Sequence, residues 1–176
     1  MNPIEYGKAL FLLSEEEGLT ERIQSEGQSV VQLLSDNPKY ITLLDTPALS
    51  TAEKNRLLDE AFSPFHEYLL NFMKILVSKR SVYLFARAYD AFCDAYDTKH
   101  NILHAKAVTA VPLDEKQHAA ITKKLSSITQ KNVVMENIVD PSIVGGIRLQ
   151  YDGKQLDSSL RAQLDALHKS LKQTNL

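Results

Sequence analysis

The sequence is poor in cysteine, has no excess of basic charge and contains no long apolar run, and each shortage removes a class of protein. Its 176 residues include one cysteine, Cys93, so no disulfide can form within the chain. That usage points to a reducing compartment. Lys and Arg number 20 against 22 Asp and Glu, for a formal net charge of -2. A nucleic-acid binder shows the opposite, a basic stripe and surplus positive charge. No apolar stretch approaches the roughly 20 residues that cross a bilayer. The opening MNPIEYGKALFLLSEEEGL places Glu5 early and an acidic run after a short apolar patch. It resembles neither a secretory signal nor an Arg-rich transit peptide, so any work at a membrane runs through a partner. Low-complexity tracts and internal repeats are also missing.

The usual catalytic constellations are lacking too. Gly145-Gly146 precedes a strand pattern, whereas a phosphate loop sets its glycines between a strand and a helix start. The pair reads instead as a position of positive φ or close backbone approach. Arg148, on the strand that follows, reads as a strand cation facing a carboxylate or solvent. Asp140, Asp152 and Asp157 have turn and cap explanations: Asp-Pro, Asp-Gly and a helix N-cap. Ser158 and Ser159 lack a nucleophile-elbow context. The five histidines, at 66, 100, 104, 118 and 168, never fall four apart on one helix, as a metal pair requires. Cys93 stands among Asp90, Asp94 and Asp97, the wrong charge for a reactive thiolate.

Amphipathic periodicity is abundant. Asn2-Pro3 opens a first helix whose Tyr6, Ala9, Leu10 and Leu13 share a face, and Gly18 stops it. A second helix runs from about Thr20 to Ser35, with Ile23, Val30, Val31 and Leu34 inward. Asn37-Pro38 ends it and starts a short helix with Tyr40, Ile41, Leu43 and Leu44. Ser50 and Glu53 form a capping-box pattern ahead of Leu57, Leu58 and Ala61. Ser63-Pro64 caps a fifth helix over 65–79, apolar on two sides, with Phe65, Leu69, Phe72 and Leu76 on one of them. A polar joint at 79–81 leads to a long helix over about 82–98, carrying Phe85, Tyr89, Phe92 and Tyr96.

The period then shifts to that of strands over 102–111, 132–140 and 145–151. An Asp114-capped helix with Ile121, Leu125 and Ile128 lies between the first two. Asp152-Gly153 signals a hairpin turn. Asp157 or Ser158 caps a last helix with Leu160, Leu164, Leu167 and Leu171 in a stripe. The predicted fold class is α+β: a bundle of about six helices over residues 1–100, then a small α/β unit with a short sheet over 101–176.

These residues resemble the delta subunit of the bacterial F-type ATP synthase, the equivalent of the mitochondrial oligomycin-sensitivity-conferral subunit. The resemblance spans essentially the whole chain. Its most specific part is Val139-Asp140-Pro141-Ser142, Val144-Gly145-Gly146-Ile147, Asp152, and Asp157 with Ser159 before a leucine helix. Tyr6-Gly7-Lys8-Ala9-Leu10-Phe11, Asn37-Pro38, Lys54 with Leu57-Leu58, Asn71-Phe72 with Leu76, Arg80, and Ala107 with Thr109-Ala110 also fit. Two departures, Asp152-Gly153 at the hairpin and Asp157-Ser158-Ser159 at the cap, keep the same turn chemistry.

The family is not catalytic, so the resemblance implies no catalytic residue, cofactor or metal. It implies a stator subunit that links the alpha subunits of the catalytic head to the b-subunit stalk and resists rotor torque. The resemblance also implies a peripheral place on the cytoplasmic face of the bacterial cell membrane. The bundle would hold an alpha-subunit N-terminal helix between its first and fifth helices. Carried to this chain, that groove implies Tyr6, Ala9, Leu10, Leu13, Phe72, Ile75, Leu76 and Lys79. Asp140, Pro141, Gly145, Gly146, Asp157 and Ser159 become structural, and the C-terminal unit would meet the b helices. The competing readings are a generic helical adaptor for another amphipathic peptide and an enzyme built on Arg148, Asp140 and the glycines.

Overall fold

The computed structural model describes residues 2–143 and 145–157. The predicted last helix, with its stripe from Leu160 to Leu171 and the cap residue Ser159, lies outside them. The described residues form seven α-helices and four strands, the α+β arrangement expected from periodicity.

Local signals set most helix ends. Helix α1 (Pro3–Glu16) has Pro3 in its first turn, and the Asn2 side chain accepts from the Ile4 N–H at 3.2 Å. Gly18 follows at φ +68°, a backbone open to glycine at little cost. Helix α2 (Thr20–Asp36) gives way to α3 (Pro38–Asp45) at Asn37. The Asn37 amide serves the outgoing helix, donating to the Leu33 carbonyl at 2.9 Å. Helix α4 (Thr51–Phe62) carries the full capping box. Glu53 N–H donates to the Ser50 hydroxyl at 3.3 Å, and Ser50 N–H donates to the Glu53 carboxylate at 2.8 Å.

Two boundaries differ from the sequence reading. Helix α5 is Glu67–Ser78 and is capped by His66; Ser63 instead closes α4, and Phe65 precedes the helix. The long helix begins with a 3-10 turn at Val82–Leu84 before α6 (Phe85–His100). Arg80 takes φ +51° in the joint between them.

The α1–α6 bundle closes around an aromatic spine on α6. Phe85 and Tyr89 stack with centroids 6.5 Å apart, and Tyr89 and Phe92 at 6.0 Å. Phe72 of α5 meets Phe85 edge-on at 5.9 Å, and Phe11 of α1 meets Phe92 at 5.8 Å. Each such pair adds about 0.5–1.5 kcal/mol beyond the area it buries. Helix α1 reaches this spine because Gly7 has no side chain: a Cβ there would stand 2.0 Å from the Ala88 carbonyl oxygen.

The remaining elements are β1 (Ile102–Thr109), α7 (Glu115–Thr129), β2 (Asn132–Val139), β3 (Ile147–Tyr151) and β4 (Lys154–Asp157). The four strands form one sheet in the order β2-β1-β3-β4. Strands β1 and β2 are parallel across the α7 crossover; β3 pairs antiparallel with both β1 and β4. Helix α7 opens with a second box, in which Gln117 N–H donates to the Asp114 carboxylate at 2.7 Å. Strand β4 adds to the three expected strands. Its four residues are all exposed, so no apolar alternation announces it. The Asp152-Gly153 turn makes it, with φ of +49° and +68°, the paired positive values of a tight hairpin. Contacts divide the chain into two compact units between Tyr96 and Asp97, within α6.

Candidate partner-binding faces

Helices α1 and α5 pack on each other, and each divides its residues between core and surface. On α1 the inward set is Gly7, Leu10, Phe11 and Ser14. Ser14 satisfies its buried hydroxyl by donating to the Phe11 carbonyl at 2.8 Å. On α5 the inward set is Leu69, Phe72, Met73, Leu76 and Val77. Lys74 ties α5 to α4 through an ion pair with Asp59 at 2.6 Å.

This division sorts the eight residues the resemblance proposed. Leu10, Phe72 and Leu76 are core residues, 5%, 6% and 0% exposed. They are anchors of the bundle itself rather than open surface: all three belong to its one buried apolar cluster, where Phe72 of α5 meets Phe85 of α6. Leu13 and Ile75 are exposed at 39% and 44%. Ala9 and Lys79 are exposed as well, and Tyr6 is half-buried. The surface of this helix pair thus holds Ala9, Leu13, Ile75 and Lys79, with Tyr6 at its edge. Helix α1 adds Leu12, 60% exposed, and Ile4, which the sequence reading passed over. Neither falls on the stripe of Tyr6, Ala9, Leu10 and Leu13, and an apolar residue off-stripe gives a sequence no reason to single it out.

The start of α5 is held with unusual care. The His66 N–H donates to the Glu26 carboxylate of α2 at 2.6 Å, and Arg22 pairs with the same carboxylate at 2.8 Å. The His66 Nδ1 accepts from the Tyr68 N–H at 3.3 Å. On α6, the Tyr89 hydroxyl donates to the Gln24 carbonyl of α2 at 2.7 Å. Burial raises the Tyr89 phenol well above its ordinary value, with Cys93 adding to the effect, so it stays a neutral donor.

In the C-terminal unit, α7 leaves part of the sheet uncovered. Ile121, Leu125 and Ile128 of α7 face Leu149 of β3 and Leu156 of β4 across an apolar cleft of about 290 Å³. Ile128 and Leu156 are exposed. The Asp140 motif is a turn: its carboxylate accepts from the Ser142 N–H at 2.9 Å, and its own N–H donates to the Thr109 carbonyl at 2.8 Å. Those Ser142 hydrogen bonds hold the Asp140 carboxyl below its ordinary value, and Arg148 contributes in the same direction. Pro141 is exposed in that turn. Gly146 takes φ +84° immediately before β3. Asp157 ends β4 opposite Arg148, paired at 3.1 Å, so the arginine faces a carboxylate as strand arginines commonly do.

Other polar groups are spread out. His104 pairs with Asp97 at 3.1 Å, and His118 contacts the Met135 carbonyl at 3.0 Å. Among the described residues, no three His, Cys, Asp or Glu converge as metal ligands, and no helix is long and apolar enough to cross a membrane.

Comparison with known proteins agrees with this architecture. A model of the ATP synthase delta (OSCP) subunit family matches residues 4–171. The ATP synthase subunit delta of Latilactobacillus sakei is 35% identical over 167 residues, which cover 94% of this chain and 92% of the relative. That of Clostridioides difficile is 31% identical over 168 residues, 94% of this chain and 93% of the relative. Among solved structures, a chain of the Toxoplasma gondii mitochondrial ATP synthase hexamer superposes with a TM-score of 0.69. It covers 97% of both chains at 22% identity and so shares the fold.

Proposed function

Because the chain belongs to the ATP synthase delta (OSCP) subunit family, a non-catalytic stator component of the peripheral stalk, we propose that its bundle grips the catalytic head through the surface of α1 and α5. The ligand is the N-terminal segment of the head's alpha subunits, bound as an amphipathic helix. The supporting observation is that Leu13 and Ile75 stand exposed on two helices whose inner faces are fully committed to the core. A helix laid on such a surface buries its own apolar stripe against theirs. Each large anchor removed from water contributes about 1.5–3 kcal/mol.

The C-terminal unit takes the other end of the load. Its apolar cleft along α7 offers ground for the b-subunit helices of the stalk. In this reading the protein works peripherally at the cytoplasmic face of the membrane, through the complex alone. Torque is resisted by packing: aromatic stacking along α6 and the α1–α6 contact at Gly7 make the bundle stiff.

Calorimetric titration of the purified chain with a synthetic alpha-subunit N-terminal segment tests this reading. Saturable one-to-one binding supports it. An absence of heat and of any spectral change at high peptide concentration refutes it. The adaptor alternative differs only in partner, and an unrelated amphipathic peptide of the same length and apolar content separates the two.

A further inference from the structure

His66 is the only histidine before Tyr96, in the unit formed by the bundle. It occupies a position where charge matters. Its backbone is extended at φ -62°, ψ 143°, and its carbonyl accepts from the Leu69 and Leu70 N–H groups at 3.0 and 3.1 Å. Its ring Nδ1 accepts from the Tyr68 N–H, and the two rings lie 5.0 Å apart. An imidazole can do this only while Nδ1 keeps its lone pair.

We propose that His66 is a proton-operated latch on α5. Neutral, its Nδ1 caps the helix. Protonated, it gives up that bond and turns to the Glu26 carboxylate, loosening the first turn of α5. Protonation makes Nδ1 a donor that opposes the Tyr68 N–H, and it sets a positive charge at the positive end of the helix dipole. The alternative acceptor is already at hand, because Glu26 Oε2 sits 2.6 Å from the His66 backbone nitrogen. Glu26 of α2 holds the His66 backbone and pairs with Arg22, Glu67 is the next residue in the first turn of α5, and the titratable phenol of Tyr68 lies against the ring. The proton therefore chooses between two arrangements, one that caps α5 and one that neutralises Glu26. That this would weaken the grip on the head at low pH rests on the reading of α5 as a docking helix; the latch itself does not.

The test is amide exchange by NMR on the full chain between about pH 8 and pH 5.5. The Tyr68 amide is read as a protection factor, which removes the intrinsic pH trend. The wild type should lose protection about threefold to tenfold on acidification, the effect of one lost N-cap. His66→Asn, which caps without titrating, should hold constant protection. Glu26→Gln removes the negative charge that favours the imidazolium and should move the wild-type transition to lower pH. Flat protection in the wild type, an equal loss in His66→Asn, or an unmoved midpoint in Glu26→Gln would each overturn the latch. Alpha-segment affinity measured in parallel separates the two ideas: loss of protection at constant affinity supports the latch and counts against docking on α5.

Discussion

The Glu26 carboxylate receives the backbone N–H of His66 at 2.6 Å, across 40 positions of sequence, and so fastens the beginning of α5 to the middle of α2. Glu26→Ala leaves that half-buried N–H without its charged partner and also releases Arg22. A hydrogen bond to a charged group is worth about 1.5–3 kcal/mol. Urea denaturation should show a loss in that range, with Glu26→Gln losing less because the amide oxygen still accepts.

Gly7→Ala should be among the most damaging small substitutions in the bundle. The new methyl would sit 2.0 Å from the Ala88 carbonyl oxygen, which is backbone and has little room to retreat. Overpacking of this kind costs about 1–3 kcal/mol. Gly18→Ala meets open space but keeps φ +68°, at about 1–2 kcal/mol for left-handed backbone. Thermal unfolding of the two variants, together with loss of the near-ultraviolet aromatic signal in Gly7→Ala alone, distinguishes steric from conformational cost.

Asp140 gives a prediction in acid. Its carboxyl in the folded chain titrates below the ordinary value, held there by Ser142. The stabilisation is therefore complete above the unfolded-chain value of about 3.9, and it is lost as pH falls through the depressed folded one. The Ser142 amide resonance should move in that acidic window and stay still in Asp140→Asn. Movement at neutral pH would contradict the assignment.

Leu76→Asp and Ile75→Asp, neighbours in sequence, should behave as opposites. Leu76 is fully buried, so the aspartate strands a charge in the core and unfolds the bundle. Ile75 is 44% exposed, so its variant should melt within a few degrees of the wild type. Circular dichroism melts decide it, and equal destabilisation of the two would mean that Ile75 is a core residue.

What the sequence made legible follows from the range of each interaction. The helices of the bundle were readable because Leu69, Phe72 and Leu76 repeat at helical spacing, and because Ser50-Glu53 and Asn2-Pro3 punctuate locally. The start of α5 was misread because its cap is a histidine secured by Glu26 from another helix, which no local motif encodes. Strand β4 is announced only by the Asp152-Gly153 hairpin signal, because Lys154–Asp157 is exposed throughout and its pairing comes from β3. At the candidate site, periodicity marked Leu10, Phe72 and Leu76 as apolar but does not distinguish a residue facing its own core from one facing a visitor. Burial makes that distinction, and it leaves Leu13 and Ile75 on the surface.

The central claim is that the exposed residues of α1 and α5 hold the catalytic head. Its most direct test is rebinding to purified synthase heads stripped of this subunit, comparing the wild type with the folded double variant Leu13→Asp/Ile75→Asp by co-sedimentation. One wild-type chain should be retained per head, with at least a tenfold weaker hold for the double variant at an unchanged melting temperature. Equal retention of both chains would contradict the claim.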